Sequence, residues 1–213
     1  MGNIEQYIEH TLLKKNLKNE DIEKLCKEAI EHKFKAVCIF PEYLKIAKDF
    51  LKNKGPILVT VIDFPDGDKT PEEKENEARS AIEMGAQEID LVMDILALKD
   101  KNYSKVFDGI SRVVKIDHNV LVKVIMETCY LNHDEKVIAC ALAQLARARF
   151  VKTSTGFGKA GATIEDVLLL KKTIGKNMHV KASGGIKTLE EAMMFINAGA
   201  SRIGTSAALK MLK

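Results

Sequence analysis

The sequence predicts an α/β fold, a (β/α)₈ (TIM) barrel formed as a single domain over residues 1–213. Three observations predict it. Strand-like and helix-like runs alternate almost from end to end. Several strand-like runs are apolar in succession rather than at every second residue, as parallel strands covered on both faces should be. No Pro/Ser-rich linker, low-complexity segment or compositional break divides the chain, and 213 residues lie at the short end for eight βα units, so the connecting loops must be lean.

The eight strand-like runs are Ile8–Leu13, Ala36–Phe40, Leu58–Phe64, Glu88–Met93, Leu121–Glu127, Arg149–Thr155, His179–Gly184 and Ser201–Thr205. Between the first two, Ile22, Leu25, Cys26, Ala29 and Ile30 recur at helical spacing after Asn19, which is read as the N-cap. Thr70-Pro71-Glu72-Glu73 is a capping box with Pro at the first helical position, opening a helix that turns Ala78, Ala81 and Ile82 to the core. Thr188-Leu189-Glu190-Glu191 repeats the signal before Ala192, Phe195 and Ile196, and Thr163-Ile164-Glu165-Asp166 is a weaker relative. Gly85-Ala86 and Gly199-Ala200 each stop a helix just before a strand, a faint internal repeat of one βα unit. The rival architecture is an open doubly wound sheet, which needs a Gly-rich first βα turn; Leu12-Leu13-Lys14-Lys15 has none.

Composition narrows the function. With 33 basic and 30 acidic residues the net charge is +3, and no basic stripe is interleaved with aromatics, so neither nucleic acid nor a membrane surface is an expected partner. No apolar run approaches about 18 residues, and Met1–Gln6 carries neither a secretion-signal core nor a myristoylation pattern; Gly2 reads as a remnant of cloning. Cys26, Cys38, Cys129 and Cys140 form no C-x-x-C pair, and no histidines stand at zinc spacing. A reducing cytoplasm and no metal are expected. His10, His32, His118, His133 and His179 are read as structural or surface residues.

The chemistry is carried by lysines in apolar strands. Lys152 lies in Val151-Lys152-Thr153-Ser154-Thr155-Gly156, and Lys181 in Val180-Lys181-Ala182-Ser183-Gly184-Gly185. A lysine facing the helical layer is costly, so both should point into the barrel, on adjacent strands. Two such cations lower each other's pKa, so that one becomes a free amine while the other stays charged, the arrangement an imine-forming lysine needs. The plainer alternative is that either lysine is only ion-paired, to Asp90 or Glu127. Asp90, flanked by Ile89 and Leu91, is a buried carboxylate that needs a cationic partner and could relay protons. Glu127 is given a supporting role. Glu9, Thr11, Cys38, Asp63 and Lys123 are the other polar residues of the strands. Gly184-Gly185 and Gly204-Thr205-Ser206 follow the seventh and eighth strands and precede helices, where barrels hold phosphate on backbone N–H groups, and Gly156 could add donors.

Taken in order, Glu9-His10-Thr11-Leu12-Leu13-Lys14, Ala36-Val37-Cys38-Ile39, Glu88-Ile89-Asp90-Leu91-Val92, Lys123-Val124-Ile125-Met126-Glu127-Thr128, the two lysine segments and Arg202-Ile203-Gly204-Thr205-Ser206 resemble the deoxyribose-phosphate aldolase family over nearly the whole chain. The resemblance implies a class I aldolase that reversibly cleaves 2-deoxy-D-ribose 5-phosphate to glyceraldehyde 3-phosphate and acetaldehyde, in deoxyribose phosphate catabolism. It implies that Lys152 forms the Schiff base, Lys181 depresses its pKa and Asp90 serves proton relay. Gly156, Gly184, Gly185, Gly204, Thr205 and Ser206 would line the phosphate site, with Thr11, Cys38 and Thr155 as further substrate-binding residues. No metal or organic cofactor is implied, and a homodimer is the expected assembly. The rivals are a transaldolase-like enzyme and a phosphate-binding barrel without catalysis.

The chain departs from the family pattern at Glu9, usually Asp, and at Arg147-Ala148-Arg149, usually Gly-Ala-Asp. Asp63 and Asp94 replace neutral residues and are expected to add carboxylates near the substrate. The tyrosine tail of some members has no counterpart before Lys213.

Overall fold

A computed structural model describes residues 3–52 and 54–212; Met1 and Gly2, and with them the reading of Gly2 as a cloning remnant, lie outside the described residues. The strands are β1 (Ile8–Leu12), β2 (Ala36–Ile39), β3 (Ile57–Ile62), β4 (Glu88–Val92), β5 (Leu121–Ile125), β6 (Phe150–Lys152), β7 (His179–Ser183) and β8 (Ala200–Thr205). They pair in parallel in sequence order, and β8 closes on β1, giving the expected barrel. The helices are α1 (Asn19–Glu31), α2 (Leu44–Leu51), α3 (Pro71–Glu83), α4 (Ile95–Lys99), α5 (Tyr103–Val114), α6 (His133–Leu145), α7 (Ile164–Ile174), α8 (Leu189–Asn197) and α9 (Ala208–Met211).

Local chemistry sets the helix starts. Thr70 and Glu73 exchange backbone bonds of 3.2 and 2.8 Å at the start of α3, and Thr188 and Glu191 do the same at α8 with 3.2 and 3.1 Å. Asn132 and Glu135 form a further box at α6. The expected cap of α1 is corrected. Asn19 is its first helical residue, and the free end is closed by Asp21, whose carboxylate accepts from the Lys18 N–H at 2.9 Å.

Seven of the eight strands end earlier than expected, and β8 ends at Thr205 as expected. β6 stops at Lys152 because Thr153–Thr155 turn away to meet the loop after β5. Glu127, in the left-handed region with φ 46°, accepts there from the Thr155 N–H at 3.2 Å and from the Thr155 hydroxyl. Glu127 thereby fixes the start of the loop after β6.

Alternation along each strand sorts side chains between two environments. Outward residues such as Ile89, Leu91, Val122, Val124, Val151, Val180 and Ile203 pack under the helices in one continuous apolar layer. Inward, β2 and β3 contribute a small separate apolar group, Ala36, Cys38, Val59 and Val61. Most of the charged side chains of the barrel strands also point inward, from β1 and from β4 to β8.

Candidate active site

Glu9 on β1, Glu88 and Asp90 on β4, Lys123 on β5, Lys152 on β6, Lys181 on β7 and Arg202 on β8 all bury their side chains in the barrel. They form one ionic network. The Lys152 Nζ lies 2.7 Å from Asp90 Oδ2, and the Lys181 Nζ lies 2.6 Å from the same oxygen. Lys181 also bonds Glu9. Lys123 reaches Glu88 at 2.6 Å and the other Asp90 oxygen at 3.0 Å, with Glu9 at 3.6 Å. Arg202 spans Glu9 at 3.1 Å and Glu88 at 3.2 Å. Asp90 is thus the hub, bridging three amines. The ladder pairs Lys152 directly with Lys181, so the expected juxtaposition of the two lysines is present.

The environment separates the two amines. Burial lowers the Lys152 pKa, and the Lys181 ammonium adds to the depression against the pull of Asp90. Lys181 moves the other way: burial alone would lower it, but Asp90 and Glu9 outweigh that cost and hold it charged. Lys123 is raised against its burial by Asp90 and Glu9. Burial would raise Asp90, yet Lys123, Lys152 and Lys181 together hold its carboxyl well below the usual carboxylate range. Glu9 is lowered in the same way by Lys123 and Lys181 against burial.

Above this network the C-terminal ends of the strands open into a cavity of about 270 Å³. Lys152 lines it, as do Thr11, Thr155, Gly156, Gly184, Gly185, Gly204, Thr205 and Ser206. Of the network's side chains, Lys152 alone is among those lining residues; Lys181 and Asp90 are fully buried beneath it. Three hydroxyls are already engaged within the fold. Thr11 donates to the Glu9 carbonyl at 2.9 Å, Thr205 to the Ile186 carbonyl at 2.7 Å and Thr155 to Glu127. Two glycines are required by close approach. A Cβ on Gly184, whose φ is +90°, would meet Gly161 Cα at 2.8 Å, and one on Gly204 would press on Lys181 Cε at 3.0 Å. Lys14 and Lys187, exposed at the rim, also line the cavity and give it positive charge that the strand motifs did not reveal.

The structure departs from the expectations for Cys38, Asp63 and Asp94. Cys38 is not among the lining residues. It is fully buried among Ala36, Val59 and Val61, where burial pushes its thiol up to about 11. Glu9 does not face the cavity but joins the buried network, where its extra methylene lets it reach both Lys181 and Arg202. Asp63 adds no free charge, because Lys74 holds it at 3.0 Å. Asp94 caps α4 through the Ala97 N–H at 2.8 Å and pairs with Lys105 at 2.6 Å. Arg147 and Arg149 lie at the opposite end of the barrel, in the turn between α6 and β6. His10 points outward, 2.8 Å from Glu28 on α1.

Sequence reasoning passed over Glu88, Arg202 and Lys74. Lys74, on a helix with an otherwise polar sequence, is buried and donates to the Val92 and Gly67 carbonyls at 2.8 and 3.0 Å. It ties the loop after β3 to the end of β4. Among the described residues no group of three or more His, Cys, Asp or Glu side chains is placed to hold a metal ion.

A parallel eight-stranded barrel with a lysine at the base of its mouth, set in a lysine–carboxylate network, places an amine where a small carbonyl substrate could reach it. Residues 4–213 match the profile of the DeoC/LacD family aldolases. The chain is 53% identical over 214 residues to a deoxyribose-phosphate aldolase of Thermococcus kodakarensis, covering 99% of this chain and 96% of that one. It is 51% identical to the enzyme of the same name from Thermococcus gammatolerans, over 99% and 95% of the two chains. The tetrameric deoxyribose phosphate aldolase structure from Aeropyrum pernix superposes with a TM-score of 0.91 at 33% identity, covering 98% of this chain and 89% of that one. The chain belongs to the DeoC/LacD aldolase family and is an aldolase.

Proposed function

We propose that this aldolase cleaves 2-deoxy-D-ribose 5-phosphate through an imine on Lys152, releasing D-glyceraldehyde 3-phosphate and acetaldehyde. The observation that carries this reading is the position of Lys152. Its amine meets both the cavity and Asp90, and its surroundings disfavour the ammonium form.

The neutral Nζ attacks C1 of the open-chain sugar, and loss of water gives the protonated imine. A base takes the proton of the C3 hydroxyl, and the C2–C3 bond breaks. Its electron pair flows to the imine nitrogen, leaving an enamine on Lys152 and freeing glyceraldehyde 3-phosphate. Proton return to C2 and hydrolysis release acetaldehyde. Asp90, in contact with Lys152 and Lys181, moves the protons that imine formation and hydrolysis require. Lys181 stays charged and biases Lys152 towards the amine. The phosphate is held by backbone around Gly184-Gly185 and Gly204-Thr205-Ser206, with Lys14 and Lys187 as counter-charges. The names of the relatives support the substrate.

The test is product analysis after incubation with 2-deoxy-D-ribose 5-phosphate. Acetaldehyde and glyceraldehyde 3-phosphate in equal amounts are expected. Binding without cleavage, or transfer of a three-carbon unit without acetaldehyde, would replace this reading with a binding barrel or a transaldolase-like enzyme. We assign the reaction to the cytoplasm, the reducing compartment that cysteines without a C-x-x-C pair suit. Self-association is proposed alongside. A homodimer is one assembly and the tetramer of the Aeropyrum pernix relative the other, and light scattering distinguishes them.

A further inference from the structure

The buried network contains three carboxylates, Glu9, Glu88 and Asp90, and four potential cations, Lys123, Lys152, Lys181 and Arg202. With every group ionised the barrel interior would hold one uncompensated positive charge next to the apolar wall of Ala36, Cys38, Val59 and Val61. An unpaired charge in such surroundings is expelled or neutralised. Contacts decide which cation yields. A guanidinium is not deprotonated in proteins, so the choice falls among the lysines. Lys123 is within 3.6 Å of all three carboxylates, and Lys181 touches two of them. Lys152 has a single carboxylate contact, an Asp90 oxygen that it shares with Lys181.

Glu88 and Arg202 touch neither Lys152 nor the cavity, yet they enter this balance as one charge each. We propose that Glu88 and Arg202 are positioning residues of the aldolase site, two opposite buried charges that act on Lys152 through the network: Arg202 helps keep it a free amine, and Glu88 opposes that bias. The proposal rests on the reading that Lys152 is the imine-forming lysine. The charged or titratable groups around Lys152 are Asp90 and Glu88 on β4, Lys123 on β5, Lys181 on β7, Arg202 on β8, Glu9 on β1 and Cys38 on β2, with Glu127, Lys14 and Lys187 towards the mouth. On β3 the facing residues Val59 and Val61 carry no charge.

The signs follow from the count. Glu88→Gln removes a negative charge, so protonating Lys152 becomes harder and its titration moves to lower pH. Arg202→Met removes a positive charge, and the titration moves to higher pH. The double variant restores the balance. One unit charge about 10 Å away, acting through an effective dielectric of about 20, shifts a pKa by about one unit.

The experiment measures the rate at which acetaldehyde and cyanoborohydride alkylate Lys152, read by peptide mass spectrometry as a function of pH, in the full chain. This probe carries no phosphate, so no substrate ionisation overlaps. The expected result is a shift of about one pH unit to the acid side for Glu88→Gln, about one to the alkaline side for Arg202→Met, and a return to the parent profile in the double variant. Glu88→Gln is isosteric and carries the test alone if Arg202→Met does not fold. Shifts in the same direction, an unmoved Glu88→Gln profile, or a double variant that fails to return would overturn the proposal. An absence of alkylation at Lys152 in the parent protein would overturn both this inference and the reading on which it rests.

Discussion

Val61 and Asp90 are register partners on neighbouring strands, and both are buried inside the barrel. Val61 belongs to an apolar wall made by β2 and β3, whereas Asp90 holds together a network of charges spread over β4 to β8 and β1. The apolar wall excludes water and lowers the local dielectric, which makes each unbalanced charge across from it expensive. The charged side then satisfies itself almost completely, except at Lys152. The contrast teaches that the reactive amine is a product of both walls. One supplies the competing cations, and the other supplies the medium in which competition matters.

The contrast can be broken most severely at Lys152 itself. Lys152→Met is expected to lower kcat for 2-deoxy-D-ribose 5-phosphate cleavage by at least about 10⁴-fold, the scale of losing a covalent nucleophile. Its thermal midpoint at neutral pH should not fall, because the substitution removes an amine whose burial disfavours its charged form. A soluble variant with activity within tenfold of the parent would end the assignment.

Substitutions on the two walls should separate stability from activity. Lys181→Leu removes one of the two lysines that contact both Glu9 and Asp90, and is expected to lower stability in urea unfolding and to remove most activity at neutral pH. Val61→Ala is expected to cost about 1–3 kcal/mol and leave kcat within a few-fold. Equal losses of activity from the two changes would erase the distinction between the walls.

The two lysines also predict opposite pH responses. Lys152 has a folded pKa below that of an unfolded lysine, so the unfolded chain binds its proton more readily. Stability should therefore climb with pH from the depressed value up to about 10.4, by at most about 1.4 kcal/mol per pH unit, and Lys152→Met should flatten that climb. Lys181 has a raised folded pKa. Its contribution is fully present below about 10.4 and is lost only as pH rises beyond that towards the folded value. Unfolding free energies from pH 7 to 11 test both windows.

The smallest expected effect lies outside the barrel. Arg147 holds φ at 62°, a conformation that costs a side-chain-bearing residue about 1 kcal/mol, so Arg147→Gly is expected to stabilise by up to about that amount without altering activity.

Much of this was legible in the sequence, and the limits have physical causes. Lys152, Lys181 and Asp90 stand out because a charge within an apolar strand has few explanations, and the glycine turns after β7 and β8 mark where the cavity opens. Cys38, expected to bind substrate, lies in the apolar wall of β2 and β3. Alternation says which way a side chain points, whereas strand tilt and register decide how far along the axis it lies. The same gap hid Glu88 and Arg202, whose partners come from strands far apart in sequence. Lys74 left no signal, since one lysine in the polar run Glu72–Glu77 looks solvated until the loop after β3 folds over it. Asp63 and Asp94 looked like free carboxylates for the same reason: Lys74 and Lys105 are found only in three dimensions.

The most direct measurement of the central claim is covalent trapping. The protein is incubated with 2-deoxy-D-ribose 5-phosphate and borohydride, digested, and its peptides weighed. The account predicts one reduced adduct, on Lys152, with Lys123 and Lys181 unmodified. An adduct on Lys181, or a protein that cleaves the sugar without becoming trapped, would contradict it.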